Sequence, residues 1–174
     1  LQLRVSDTFL TFNCMQAMTT HLLKSDDGDT MCEICGGEAR TTRIIIRYNT
    51  QRLTTGPNFD LVVDIDLTNP QERASFWEYR RRRRPKVCVM APMCRSFGGR
   101  SRMNTVVNSS TYMRNLQTTD HPLAKFCAEV AWEQLQDNLD YVNEQPAGSS
   151  MYEVAPWPKV CAHPRFLKEI FDQC

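Results

Sequence analysis

Long apolar runs are missing from this chain of 174 residues. The apolar runs at residues 44–46, 61–63 and 87–91 are short, and none approaches the roughly 20 residues that a helix needs to span a bilayer. The N-terminus also lacks the basic and then apolar order of a signal peptide. The sequence therefore predicts an intracellular protein with no membrane span in this chain.

A strong net charge is missing as well, because 21 lysines and arginines stand against 20 acidic residues. A net charge of +1 creates no global field toward nucleic acid or membranes, so such a partner would have to meet a local patch. With 41% hydrophobic and 24% charged residues, the composition is that of one globular domain. An initiator methionine is also missing: the chain runs from Leu1 to a strand-like end at Cys174, and we expect a piece of a longer product.

The eight cysteines do not indicate a disulfide scaffold, since a domain of this size folds on its core alone. We expect reduced thiols. Cys32 and Cys35 have the spacing of half a zinc site, which Cys14 and His21 would complete. However, a strand over residues 31–35 would point the two cysteines to opposite faces. A zinc-bound interaction module is therefore the third interpretation.

Hydrophobic periodicity divides the chain into alternating elements. An amphipathic helix over residues 3–23 predicts an N-terminal segment (residues 1–28) packed on an α/β domain (residues 29–174). Strands are expected at residues 31–35, 59–65, 86–91 and 141–144, helices at 40–48, 70–84, 121–139 and 164–170, and a polar loop at 99–119. Such alternation predicts a Rossmann-like, three-layer α/β/α fold with a mostly parallel sheet.

Unusual polar residues follow these predicted strands. In parallel sheets the ligand lies outside the carboxyl ends of the strands. The residues expected there are Glu38, Asp64, Asp66, Cys94 and Glu144. Asp64 and Asp66 bracket Ile65, so on a strand they would point the same way.

Four segments resemble, in order, the cytosine-C5 DNA methyltransferase branch of the class I S-adenosylmethionine (SAM)-dependent fold. They are Glu-Ile-Cys-Gly-Gly-Glu-Ala at residues 33–39, Val-Asp-Ile-Asp-Leu at 63–67, Ala-Pro-Met-Cys-Arg-Ser-Phe at 91–97 and Tyr-Val-Asn-Glu at 141–144. They are also similar to methyltransferase-like segments of retroelement-type polyproteins of protists. The match ends before the family's later substrate-clamping and target-recognition segments.

The resemblance implies SAM as the cofactor and a cysteine as the nucleophile. The residues that it assigns to the cofactor are Cys35, Gly36, Gly37, Glu38, Asp64, Asp66 and Pro92. Cys94 would attack C6 of cytosine, Glu144 would hydrogen-bond the ring nitrogen N3, and Arg95 would lower the pKa of the thiol. The base would have to leave a duplex, or the strand would have to be single.

The sequence departs from the family's pattern at several of these positions. Glu38 stands where a glycine is expected, and it would bring a negative charge near the carboxylate of SAM. Met93 replaces a proline, and Arg95 replaces a glutamine. The alternative is a catalytically inactive member of the fold that serves as a structural or binding subunit of a larger assembly.

A run of basic residues raises the question of a nucleic-acid surface. The run is Arg80, Arg81, Arg82, Arg83 and Arg84, and Arg100 and Arg102 follow in the polar loop. Arginines that neutralise phosphates release counterions and so bind DNA or RNA. The alternative is a solvated helix end whose cations complement the helix dipole.

Overall fold

The computed structural model describes residues 2–5, 8–11, 29–48, 53–99, 106 and 108–170. The chain divides into two compact units. Unit 1 comprises Leu1–Ala91 and Leu139–Asn143, and unit 2 comprises Pro92–Asn138 and Glu144–Cys174. Within the described residues, no helix is long and apolar enough to cross a membrane.

Unit 1 contains a four-stranded, all-parallel sheet, which confirms the predicted α/β, Rossmann-like class. Its strands are β3 (Met31–Ile34), β4 (Thr55–Phe59), β5 (Val87–Met90) and β6 (Asp140–Asn143), in the spatial order β4-β3-β5-β6. Helix α1 (Arg40–Arg47) joins β3 to β4, and helix α2 (Pro70–Arg83) joins β4 to β5. From β3 the chain moves outward to β4 and then returns to the other side of β3. That reversal is the point where open α/β sheets bind ligands.

Local signals account for helix α2. Asn69 is the N-cap, since its side-chain oxygen accepts a hydrogen bond from the Gln71 N–H at 2.9 Å, and Pro70 occupies the first helical position. The buried rings of Phe76 and Tyr79 pack on Phe59 of β4, with centroid distances of 4.9 and 5.0 Å. These contacts form the core of unit 1 between α2 and the sheet.

Unit 2 is helical. Its helices are α3 (Ser109–Asn115), α4 (His121–Gln136) and α5 (Trp157–Cys161), and a wider π-helical segment, Leu116–Asp120, joins α3 to α4. The predicted helix at residues 121–139 is thereby confirmed. Trp157 is fully buried, and its indole N–H donates to the carbonyl of Ala124 at 2.9 Å.

Four predicted elements need correction, three of them outside the parallel sheet. The N-terminal helix is wrong where the structure describes it, because β1 (Gln2–Val5) and β2 (Thr8–Thr11) form an antiparallel hairpin; residues 12–28 lie outside the described residues. Residues 109–119, predicted as loop, are helical. The tail helix lies at α5 and not at residues 164–170, because Leu167 and Ile170 are exposed and a short helix without a packed apolar face is not stable.

The predicted strand at residues 59–65 is also misplaced. β4 ends at Phe59, and Leu61–Val63 form a single turn of 3-10 helix. Pro57 lies inside β4, which the sheet tolerates because β4 is an edge strand. Asp64 and Asp66 therefore do not share the face of a strand.

Candidate functional site

The loop between β3 and α1, residues 35–39, is called the glycine loop. Its backbone is left-handed at Cys35, Gly37 and Ala39, with φ of 55°, 56° and 54°. Only Gly37 adopts this conformation without strain. A Cβ on Gly37 would meet no heavy atom of the described residues within 4 Å, so these residues leave open space beside Gly37.

Glu33 holds the helix end of the glycine loop. This carboxylate is buried at the end of β3 and accepts the backbone N–H groups of Thr41 and Thr42, at 3.1 and 2.9 Å. These are the second and third residues of α1, whose N-cap Ala39 supplies no side-chain hydrogen bond. A negative charge is favourable at a helix N-terminus, where the first N–H groups have no partner within the helix. The position that binds phosphate in many α/β proteins is thus filled by the protein's own carboxylate.

Asp60 and Asn58 hold the other side of the glycine loop. Asp60 directly follows β4; one carboxylate oxygen accepts the Gly37 N–H at 2.9 Å and the other accepts the Val62 N–H at 2.8 Å. The Asn58 side-chain N–H donates to the Gly37 carbonyl at 2.8 Å. The Asn58 oxygen is buried and has no hydrogen-bond partner among the described residues. A Cβ on Gly36 would come within 3.1 Å of that oxygen, so this glycine is needed for close packing.

The structure places the other cofactor residues from the sequence prediction differently. Glu38 is exposed and pairs with Arg43 at 3.3 Å, so its side chain does not fill the loop. Asp64 is exposed at the end of the 3-10 turn. Asp66 is exposed and accepts hydrogen bonds from the N–H and hydroxyl of Thr68, at 2.8 and 2.7 Å. Asp64 ends one local turn and Asp66 begins the next, and the acid at the carboxyl end of β4 is Asp60.

The cysteine loop, residues 92–99, begins unit 2. Cys94 is exposed, and its carbonyl accepts the N–H groups of Phe97 and Gly98 at 3.0 and 2.9 Å, which closes a tight turn. Pro92 is buried, and its carbonyl accepts the side-chain N–H of Gln145 at 2.6 Å. Glu144, the residue before Gln145, is exposed. One hydrogen bond thus ties the segment that carries Cys94 to the segment that carries Glu144.

Arg95 faces a buried acid. Its guanidinium makes a two-pronged ion pair with Asp120, with N···O distances of 3.0 to 3.2 Å. The Asp120 side chain is fully buried at the end of the π-helical segment and also accepts the Ser96 hydroxyl. Two-pronged arginine–carboxylate pairs fix geometry as well as charge. Arg95 therefore anchors the cysteine loop to the helices of unit 2.

The arginine run does not form one cationic surface. Arg80 and Arg83 are buried, and Arg83 pairs with the buried Asp29 at 3.0 Å. Arg81 and Arg82 both pair with Glu78. Arg84 is exposed and ends the helix with a left-handed φ of 44°. Arg100 and Arg102 lie outside the described residues.

The zinc alternative receives no support from the described residues, which contain no cluster of three or more metal-binding side chains. Cys32 is fully buried, and its sulfur lies 3.6 Å from that of Cys88 on the adjacent strand. The hydrogen bond with Cys88 and burial raise the pKa of the Cys32 thiol well above its usual value, whereas zinc binds the thiolate. Cys35 is half-buried, and Cys14 and His21 lie outside the described residues.

Three acids with structural partners were missed at the sequence level: Glu33, Asp60 and Asp120. The available signal for Asp60 was its residue type, because aspartate side chains often accept the backbone N–H two residues further along the chain, here that of Val62. Glu33 lies inside a predicted strand, where no local pattern marks it. Asp120 stands just before a predicted helix, a position typical of an N-cap, but its side chain makes no cap hydrogen bond and pairs with Arg95. The partners of Glu33 and Asp120 are 8 to 25 residues away along the chain.

Comparisons of the chain with protein-family models, with curated proteins and with solved structures found no match. Function is therefore inferred from the geometry of the glycine loop and of the cysteine loop.

Proposed function

We propose that this chain is a SAM-dependent methyltransferase-like domain that acts on a nucleic-acid base through Cys94. The observation that carries the proposal is the carboxylate of Glu33 at the N-terminus of α1. Dinucleotides place their pyrophosphate at this helix end in α/β sheets. A buried carboxylate there repels phosphate and so favours a cofactor without phosphate.

SAM fits the chemistry of the glycine loop. The molecule has no phosphate, and its sulfonium and ammonium groups are cationic, so the acids Glu33 and Asp60 favour it electrostatically. The buried Asn58 oxygen is an acceptor that lacks a partner among the described residues, as an ammonium donor requires. The open space beside Gly37 leaves room for a ligand. When bound, SAM would supply a methyl group activated by the positive charge on sulfur.

The cysteine loop offers the matching side chains for the substrate. Cys94 is exposed at the start of its turn, where a thiolate would add to C6 of cytosine. The exposed Glu144 would hydrogen-bond N3 as negative charge develops on the ring. We propose that Arg95 is a positioning residue, because its guanidinium is held by Asp120.

Calorimetric titration of the whole chain with SAM tests the proposal. Asp60→Asn removes the charge that accepts the Gly37 N–H, whereas Asp64→Asn makes the same change at an exposed turn residue. We expect SAM to bind the unaltered chain, with affinity about tenfold weaker in Asp60→Asn and nearly unchanged in Asp64→Asn. Binding of NAD or ATP in preference to SAM would refute the proposal. No binding of SAM, NAD or ATP would also refute it and would favour the inactive structural subunit.

A further inference from the structure

Unit 2 contains an open pocket of about 170 Å³ between the cysteine loop and α3. The residues that line it are Arg95, Ser96, Asn108, Thr111, Tyr112 and Asn115. Neither Cys94 nor Glu144 is among them. The pocket is therefore distinct from the pair of side chains proposed to act on the reacting base.

The walls of the pocket are linked by hydrogen bonds. Arg95 and Ser96 both donate to the buried Asp120, and the Tyr112 hydroxyl donates to the Ser96 carbonyl at 3.1 Å. These contacts fix the loop wall against the helix wall before any ligand binds. Such preorganisation lowers the entropy lost on binding.

The lining favours a neutral ligand with several donors and acceptors. Among the described lining residues Arg95 is the only charged one, and Asp120 balances it, so these residues carry no net charge with which to attract phosphate. The side chains of Asn108, Thr111 and Asn115 make no hydrogen bond within the described part of the chain. Each carboxamide offers both a donor and an acceptor, as does the threonine hydroxyl.

The volume is sufficient for about one six-membered ring, because a cavity of about 150 Å³ accommodates benzene. An asparagine carboxamide has the donor and the acceptor that match the Watson–Crick edge of a pyrimidine, and flat side chains such as tyrosine and arginine stack on unpaired bases. We infer that this pocket binds a single pyrimidine base, either as a free nucleoside or as an unpaired base of a single strand. If the base belongs to a single strand, the inference rests on and extends the proposed function, because a neighbouring base held in the pocket would position that strand beside the cysteine loop.

The test is calorimetric titration of the whole chain with cytidine, uridine, adenosine and ribose 5-phosphate, without SAM. Asn115→Ala removes a lining carboxamide, and Gln117→Ala removes an exposed carboxamide on the adjoining π-helical segment as the matched control. Thr111→Val removes a lining hydroxyl at nearly constant shape. We expect both pyrimidine nucleosides to bind, with affinity about tenfold weaker in Asn115→Ala and in Thr111→Val and nearly unchanged in Gln117→Ala.

No pyrimidine binding would overturn the inference, as would equal affinities in Asn115→Ala and Gln117→Ala. Ribose 5-phosphate or adenosine binding as tightly as cytidine would overturn it too. A short oligodeoxycytidylate that binds more tightly per base than cytidine would identify a strand as the source, and the reverse order would identify a free nucleoside. Cytidine binding should be unchanged in Asp60→Asn, so failure of the SAM proposal is separable from failure of this one.

Discussion

Gly56 in β4 is the position where adding one methyl group should do the most damage in unit 1. A Cβ at this residue would overlap the hydroxyl oxygen of Tyr79 and lie 3.0 Å from a carboxylate oxygen of Asp29. Tyr79 is fully buried in the core of unit 1. Gly56→Ala therefore requires the Tyr79 ring to move.

The size of the stability loss follows from the hydrogen bonds that the Tyr79 hydroxyl and its partners make. The Tyr79 hydroxyl donates to Asp29 at 2.6 Å, and Arg83 completes the buried cluster with two further hydrogen bonds to the same carboxylate. Burial raises the pKa of Tyr79 well above its usual value, so the hydroxyl remains a donor. A lost hydrogen bond to a charged group costs about 1.5–3 kcal/mol, and overpacking costs about 1–3 kcal/mol. We expect Gly56→Ala to lower the free energy of unfolding by about 3–5 kcal/mol.

Denaturant unfolding followed by circular dichroism measures this loss, and Tyr79→Phe isolates its cause. If the hydroxyl is the obstacle, the double variant Gly56→Ala/Tyr79→Phe loses less stability than the sum of the single losses, by about 1 kcal/mol or more. Gly98→Ala is the control, because among the described residues its Cβ would meet only the Cys94 carbonyl oxygen, at 3.5 Å. Strict additivity would refute the reasoning, and so would a loss in Gly56→Ala no larger than that in Gly98→Ala.

Two further predictions concern titration and reactivity. Burial, with a smaller contribution from Asp66, raises the pKa of Glu72. The charged carboxylate therefore destabilises the folded state at neutral pH, and this cost disappears below the unfolded pKa of about 4.3, where the group is protonated in both states. Glu72→Gln should therefore raise the melting temperature at about pH 7 and not below about pH 4; an equal gain at both pH values would contradict this. An oligonucleotide carrying 5-fluorocytosine cannot lose a C5 proton, so it should remain covalently bound to the chain in the presence of SAM. Mass spectrometry should detect this adduct in Cys161→Ser but not in Cys94→Ser, since Cys161 is half-buried and burial raises its thiol pKa; an adduct in Cys94→Ser would refute the nucleophile.

Elements with local signals were predictable from the sequence. Asn69 and Pro70 predict the start of helix α2, and in the structure Asn69 is the N-cap. The apolar run at residues 86–91 corresponds to β5, and the periodic pattern after His121 corresponds to α4. In each case the determining contacts lie within a few residues along the chain.

Elements whose signals were misleading depend on distant partners. Thr-Thr-Gly-Pro at residues 54–57 has the composition of a turn, yet β4 begins at Thr55. Gly56 belongs in the strand because Tyr79 and Asp29 leave no room for a side chain, and Pro57 is tolerated because one edge of β4 is unpaired in the sheet. Misplacing this strand moved the predicted acidic strand end from Asp60 to Asp64 and Asp66.

Sequence periodicity and caps were sufficient for the parallel α/β class and for most of its helices and strands, because those signals act within one or two turns of chain. The partners of the buried charges depended on the tertiary structure. Glu33 reaches the start of α1, and Asp120 reaches Arg95 from 25 residues away. A buried carboxylate is stabilised by whichever donors the fold brings within hydrogen-bond distance, and that choice is made by packing between elements rather than by the residues beside it.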